Sequence, residues 1–529
     1  MGALDEGHFH EELSNGVKQC CSLELGFEQE PETLTIQDAV RHLLTGLSED
    51  FNREGLKKTP FRVAKALRHG TRGAHQPFLN AIDSAYLCTT LVANPSKSTS
   101  YMKYVSVNIA EEASRVVFVK ELGVDAISCL LSCYRLKVKD IVEGALFHEA
   151  GLDDGNGHAG GADEPVIVRD LDLFSYCESC LLPFQVKCHV GYVPSGERVL
   201  GLSKLSRVAD IFAKRLQDPK RLGDEVCSAL YHGIKPAGVA VVLQCLHLHV
   251  PNLESAFLDP NHQCWVKTLV RSGSGIFENE NADAWDDFAV HLRFKGIDVH
   301  RIHIKDSTER CWCPSRSSSI PKISCMLESA DQELVATVAS IIRSLGEDPS
   351  RKELVGTPSR YVKWLMNFQN TNLEMELNGF ACGSRLDLLK PNGEVGHNKE
   401  QLHSELNLSF WSLCEHHLLP FHGVVHIGYL SAEGINSVGK SLLQSIVHFY
   451  GFKLQLQERL TKQITHTVTS LLGGDVMVVV EASHYCMISR GIEKLGSSTV
   501  TCKKLGRFKS DPAVKDRFLQ SIPNTKLEG

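Results

Sequence analysis

Residues 414–421 read Cys414-Glu415-His416-His417-Leu418-Leu419-Pro420-Phe421, and 237 residues earlier the same frame reads Cys177-Glu178-Ser179-Cys180-Leu181-Leu182-Pro183-Phe184. Just downstream, His189-Val190-Gly191-Tyr192 answers to His426-Ile427-Gly428-Tyr429 at the same offset. Upstream, Leu56, Thr59-Pro60 and Arg62 recur as Leu354, Thr357-Pro358 and Arg360, but 298 residues later. A period this long is not that of a solenoid; it marks two related copies in tandem. The two offsets differ by 61 residues, so the first copy carries that much extra chain, which is placed at 74–134. Extra loop length costs little free energy, and the segment reads as a surface insertion or as translated intron sequence, with no function. The resulting division is an N-terminal extension at 1–30, a first copy at 31–305, a linker at 306–324 and a second copy at 325–529. Within the linker, Cys311-Trp312-Cys313 has no second ligand pair at suitable spacing and is read as connecting chain. The Gly-rich run at 151–161 is read as a flexible loop.

Composition narrows the class. Of 529 residues, 43% are hydrophobic and 22% charged, as in ordinary globular protein. No window approaches 18 consecutive apolar residues, so a spanning helix and a membrane role are not expected. The net charge of -7 argues against sequence-independent binding to nucleic acid. Met1 to Glu30 lacks the pattern of a secretory or transit leader. The 18 cysteines therefore read as reduced thiols of a cytoplasmic protein, some of them metal ligands, and not as a disulfide framework.

Periodicity supplies the fold class. Ala330 to Arg343 and Tyr361 to Phe368 repeat at helical spacing, with Pro358 at a helix start. Val424 to Leu430 reads as a strand. Leu442 to Leu472 reads as one or two amphipathic helices stopped by Gly473-Gly474. Val476 to Val480 reads as a buried strand running on through Glu481, His484 and Cys486. Each copy is expected to be α+β, with helices packed on an antiparallel sheet.

The chemistry concentrates in two short clusters of the second copy. Cys414 and His417 are close enough to share one ion, and His484 and Cys486, two apart on a strand, are expected on one face. A Cys/His/Cys set suits tetrahedral zinc. One combination is Cys414, His417 and Cys486, which leaves a fourth position for water. His416 and His484 then stand beside the metal as acid/base groups. The bland alternative is that these are buried thiols and satisfied core histidines.

The ordered set Cys-Glu-His-His-Leu-Leu-Pro-Phe, His-Ile-Gly-Tyr, Gln457-Glu458-Arg459-Leu460 and His484-Tyr485-Cys486-Met487 with Arg490-Gly491 resembles GTP cyclohydrolase I, and the tandem copy resembles the plant form. The resemblance covers most of residues 325–525 and, more weakly, the first copy outside the insert. It implies two tunnelling-fold domains, antiparallel sheets with paired helices that oligomerise into rings. It implies conversion of GTP and water to formate and 7,8-dihydroneopterin triphosphate, the first step toward pterins and folate. It implies zinc on Cys414, His417 and Cys486, proton transfer by His416 and His484, guanine reading by Gln457 and Glu458, and a substrate contact from Arg490.

Set against that pattern, each copy is damaged. In the first, Ser179 stands for His416, Cys180 for His417, His249 for Cys486 and Leu253 for Arg490, and Asp218-Pro219-Lys220-Arg221 replaces Leu456 to Arg459. Cys177, Cys180 and His249 remain as a candidate zinc set. The first copy alone keeps the family's phosphate segment, with Ser203 at a helix start and Lys204 and Arg207 on one helical face. The second has Ser441, Leu442 and Ser445 there. The expectation is a composite site: zinc, histidines and guanine reader from one copy, phosphate grip from the other, with Arg62 and Arg360 as lesser phosphate candidates. Two rivals remain. Gly434 to Ser441 satisfies a P-loop pattern, but that needs a parallel βαβ sheet, and Leu202 stands where the first copy would need the lysine. A non-catalytic, zinc-containing regulatory subunit is the other.

Overall fold

The computed structural model of the chain describes residues 29–71, 146–148, 165–195, 198–251, 256, 265–279, 282–294, 296–297, 312–317, 328–369, 401–431, 438–472, 474–492 and 496–523. The insertion at 74–134, the Gly-rich run and Leu253 lie outside them.

Among the described residues the element order repeats. The first copy runs α1 (Pro31–Gly46), α2 (Thr59–Gly70), a short β1 (Leu146–His148), β2 (Val166–Cys177), β3 (Pro183–Val193), β4 (Arg198–Leu200), α3 (Leu202–Ala213), β5 (Leu216–Gln217), α4 (Pro219–Ile234), β6 (Gly238–Leu248), β7 (Trp265–Gly275) and α5 (Asp283–Arg293). After a linker turn, α6 (Pro314–Ser317), the second runs α7 (Glu328–Ser344), α8 (Thr357–Met366), β8 (Gln401–Cys414), β9 (Pro420–Ser431), α9 (Lys440–Gly451), β10 (Leu454–Gln455), α10 (Gln457–Leu472), β11 (Val476–His484), α11 (Tyr485–Ile488), β12 (Thr499–Lys504), α12 (Arg507–Ser510) and α13 (Pro512–Ser521). Each copy builds a five-stranded sheet, β5-β2-β3-β6-β7 and β10-β8-β9-β11-β12. Only the two-residue pairings β5–β2 and β10–β8 are parallel. These are two tandem tunnelling-fold domains. Since β11 lies antiparallel to β9, the sheet a P-loop requires is absent from the described second copy.

The repeated His-x-Gly-Tyr block is explained by packing. Each long hairpin carries a bulge, at Asp170 and at Asn407, where φ is 58° and 56°. The freed backbone N–H there donates to Nδ1 of His189 or His426, at 3.2 Å in both copies. Tyr192 and Tyr429 accept the N–H of Leu200 and Val438 at the start of the next segment. A Cβ on Gly191 would meet Phe288 at 2.8 Å, and one on Gly428 would meet Phe518 at 2.6 Å, so the glycines let α5 and α13 seat on the outer sheet faces. These histidines brace the bulged hairpins.

The inner faces of both sheets share one core with α1, α2, α7 and α8. The N-terminal helix pairs are exchanged. Thr59 of α2 donates its hydroxyl to the carbonyl of Glu415 at 2.6 Å, and Thr357 of α8 donates to that of Glu178. The first copy's helices thus cover the second copy's Cys-Glu turn, and the reverse.

Candidate active site

Cys414 ends β8, and the chain turns back through Leu418, whose φ of 50° closes a knuckle with its N–H on the Cys414 carbonyl. The knuckle turns His417 toward Cys414, with Nδ1 3.9 Å from Sγ. Cys486 arrives from the other side, its Sγ also 3.9 Å from that of Cys414. The expected strand through Cys486 stops at His484; Cys486 sits in the turn α11, and that turn, not the pleat, aims its thiol at the knuckle.

The donor atoms of Cys414, His417 and Cys486 lie within 4.8 Å of one another. Tetrahedral zinc with bonds of about 2.3 Å to sulfur and about 2.0–2.1 Å to nitrogen sets S···S near ~3.8 Å and S···N near ~3.6 Å, so the spacing fits. The charges fit too. A hydrogen bond from Cys486 holds the Cys414 thiol well below its usual range, with His417 and His484 adding to it. The same contact, followed by burial, pushes Cys486 up. The bare pair keeps one proton between them; a second thiolate at this distance needs a cation.

His484 stacks on Phe421, with ring centroids 4.6 Å apart and planes 9° apart. Its Nε2 meets Oε1 of Gln457 at 2.8 Å. The amide of Gln457 is itself fixed, donating to the carbonyls of Val480 at 3.1 Å and Thr499 at 2.8 Å. Gln457, expected to read the purine, here has both its amide protons on backbone carbonyls and its oxygen on His484. Glu458, one residue on, is exposed in the first turn of α10 with no hydrogen bond or ion pair among the described residues. Burial lowers His416 below the ordinary histidine range, and Arg62 of the first copy adds to this. Arg360, the counterpart of Arg62, is instead bound by Nε to the Ser179 carbonyl at 2.6 Å.

Arg490 donates to the Cys486 carbonyl at 2.6 Å and lines a cavity of about 860 Å³ between the copies, which faces Lys187, Lys214 and Lys267 of the first. Ser203 opens on a separate cavity of about 470 Å³ whose described lining, including Arg169, Asp170 and Ser206, comes wholly from the first copy. Lys204 is half-buried and Arg207 exposed on α3.

In the first copy His249 does not join Cys177 and Cys180. Their partners are His247 and Cys313, the latter from the linker triplet read as a connector. Sequence spacing had no means to find Cys313, since only the fold brings it back.

The chain matches the family model described as GTP cyclohydrolase I over residues 136–278 and 334–523. It is 58% identical over 529 residues to a protein named GTP cyclohydrolase 1 from Solanum lycopersicum, covering 100% of both chains. It is 54% identical to one of the same name from Arabidopsis thaliana, over 99% of this chain and 98% of that one. A human protein of that name is 39% identical over 190 residues, 36% of this chain and 71% of its own.

Proposed function

Since the chain belongs to the GTP cyclohydrolase I family, it is an enzyme of that type, and we propose that its second copy carries the reactive centre, converting GTP and water to formate and 7,8-dihydroneopterin triphosphate. The observation that carries this reading is the convergence of Cys414, His417 and Cys486 on one point beside a histidine, His484, whose ring is fixed by Gln457. Zinc held by those three residues would supply, through its remaining position, a water acidic enough to attack at neutral pH.

The side chains around it divide the remaining work. Glu458 accepts from N1–H and the 2-amino group of guanine, a donor pair that adenine lacks. His416 and His484 move protons at the imidazole ring of the purine: protonation of N7 makes C8 more electrophilic and assists opening of the ring. Stacking on Phe421 and the Gln457 bond keep His484 in one orientation, so little reorganisation is required during the reaction. Ser203, Lys204 and Arg207 grip the triphosphate. The cavity at Ser203 has no described lining from the second copy of the same chain, so the grip serves the second copy of a neighbouring chain in a homo-oligomer. The product feeds pterin and folate synthesis, and a cytoplasmic location keeps the donor thiols reduced.

The test is a fluorescence assay for oxidised neopterin formed from GTP by the full chain. Turnover should vanish on chelation and return with zinc. Product formation by fully metal-stripped protein would overturn the reading, as would full activity of Cys486→Ala.

A further inference from the structure

The first copy has lost the residues of the reactive centre, yet its own knuckle is more completely surrounded by donors than the active one. We propose that Cys177, Cys180, His247 and Cys313 form a second, closed zinc site that is structural and staples the linker between the copies to the first domain.

Four donor atoms lie within 4.8 Å of one another, and all four residues are buried, none more than 1% exposed. Nε2 of His247 is 3.3 Å from Sγ of Cys180 and 3.8 Å from Sγ of Cys313. Its Nδ1 meets the carbonyl oxygen of Leu248 at 2.7 Å. That bond takes the ring's proton, which leaves Nε2 as a lone pair directed at the thiols, the arrangement that second-shell partners impose on metal-bound histidine. The backbone N–H of Ser179 points at Sγ of Cys177 from 3.4 Å. Phe184 and Trp312 pack against the His247 ring and against each other.

The position of His247 explains how the site arose from a reactive one. His247 pairs with Phe184 across β3–β6 as His484 pairs with Phe421 across β9–β11. In the second copy Nε2 of that histidine is taken by Gln457. In the first, Pro219 occupies the corresponding place and offers no amide, so the ring is free to turn its nitrogen to the thiols. Cys313 takes the fourth vertex. Three cysteines and one histidine with no vacant position make a structural zinc site, while the second copy's three ligands leave one open.

The staple sits where the copies exchange helices. Ser179, inside the knuckle, accepts from Arg360 of the second copy, and Glu178 accepts from Thr357. Fixing the knuckle and the linker to one ion therefore also fixes the seat of α8.

Zinc per chain, counted by mass spectrometry on full-length protein, tests this independently of activity. Wild type should hold two ions, Cys486→Ala one and Cys313→Ser one, with Cys313→Ser also unfolding at lower temperature. Because the Cys313 variant risks misfolding, the Cys486→Ala count is the deciding one. A single ion in wild type with none in Cys486→Ala would overturn the proposal, and so would two ions in Cys313→Ser. One ion in wild type that persists in Cys486→Ala but is lost from Cys313→Ser would support the structural site while removing zinc from the proposed reactive centre.

Discussion

The guanidinium of Arg53, in the first copy, lies 3.2 Å from the buried carboxylate of Glu415, in the second. Arg459 grips the same carboxylate from within the second copy. The mirror relationship holds at the other knuckle, where Glu178 is bound by Arg221 of its own copy at 2.8 Å and by Arg351 of the other at 3.4 Å. Each copy's Cys-Glu turn is thus held through an acid that pairs with a cation from its sister. Arg53→Ala leaves Glu415 with one guanidinium instead of two. It should destabilise the chain by about 1.5–3 kcal/mol, the usual range for a hydrogen bond to a charged group. Urea unfolding of full-length protein reads this, and an unshifted midpoint would mean that the helix exchange contributes nothing in solution.

Gln457 and Glu458 are adjacent in sequence but separate in task, and mutation should split them. Gln457→Leu keeps the shape and removes the anchor of His484, so kcat should fall with little change in KM, by about tenfold, a fraction of the 10²–10⁴ that a general acid or base contributes. Glu458→Ala should instead weaken discrimination between GTP and its inosine analogue, which lacks the 2-amino donor. If both variants lowered kcat alike and left that discrimination intact, Glu458 would have no part in reading the base.

Acid should unfold the second copy for a nameable reason. His422 stacks on Trp411 with centroids 4.5 Å apart and meets Trp265 of the first copy at 6.1 Å. Burial there lowers its pKa to about 4. The unfolded chain takes up this proton near pH 6.5 and the folded chain only near pH 4, so stability is intact above about 6.5 and is lost as pH falls toward 4. At about 1.4 kcal/mol per unit the full loss from this group is about 3 kcal/mol. Burial lowers His448 to about 4 as well, which steepens the same window. Thermal melts from pH 7.5 to 4.5 should show the decline, and His422→Phe, which fills the same aromatic slot, should flatten it. A variant with the wild-type slope would assign the acid lability elsewhere.

The tandem repeat and the α+β class were legible from repetition and periodicity, and Cys414 with His417 from short-range spacing; Cys486, 72 residues from Cys414, was joined to them only as one combination and through the family resemblance. What escaped was long-range or subtractive. Nothing local relates Cys313 to His247, 66 residues away, or Arg53 to Glu415 across the copies. Sequence alone assigned the repeated tyrosines and glycines no task; Tyr429 receives a backbone N–H from Val438, and Gly428 makes room for a docked helix. Gln457 stood as a base reader through the family resemblance, and only the fold shows that its side chain also meets Val480, Thr499 and His484.

Whether the triphosphate grip acts within a chain or between chains follows from two cavities. Arg490 faces Lys187, Lys214 and Lys267 across the 860 Å³ space inside the chain, while Ser203 opens on the 470 Å³ space lined by its own copy. If Lys204 and Arg207 serve a neighbour, two inactive variants should rescue one another. A chain with Lys204→Ala and Arg207→Ala keeps an intact second copy; a chain with Cys486→Ala keeps an intact phosphate segment. Co-expressed in equal amounts and mixing at random in a symmetric ring, they should form roughly a quarter of sites from intact halves. Neopterin production should return to about that fraction of wild type, against a background near zero for each alone. If every site were built within one chain, no mixture would contain an intact one, and the co-expressed protein would stay as inactive as its parents.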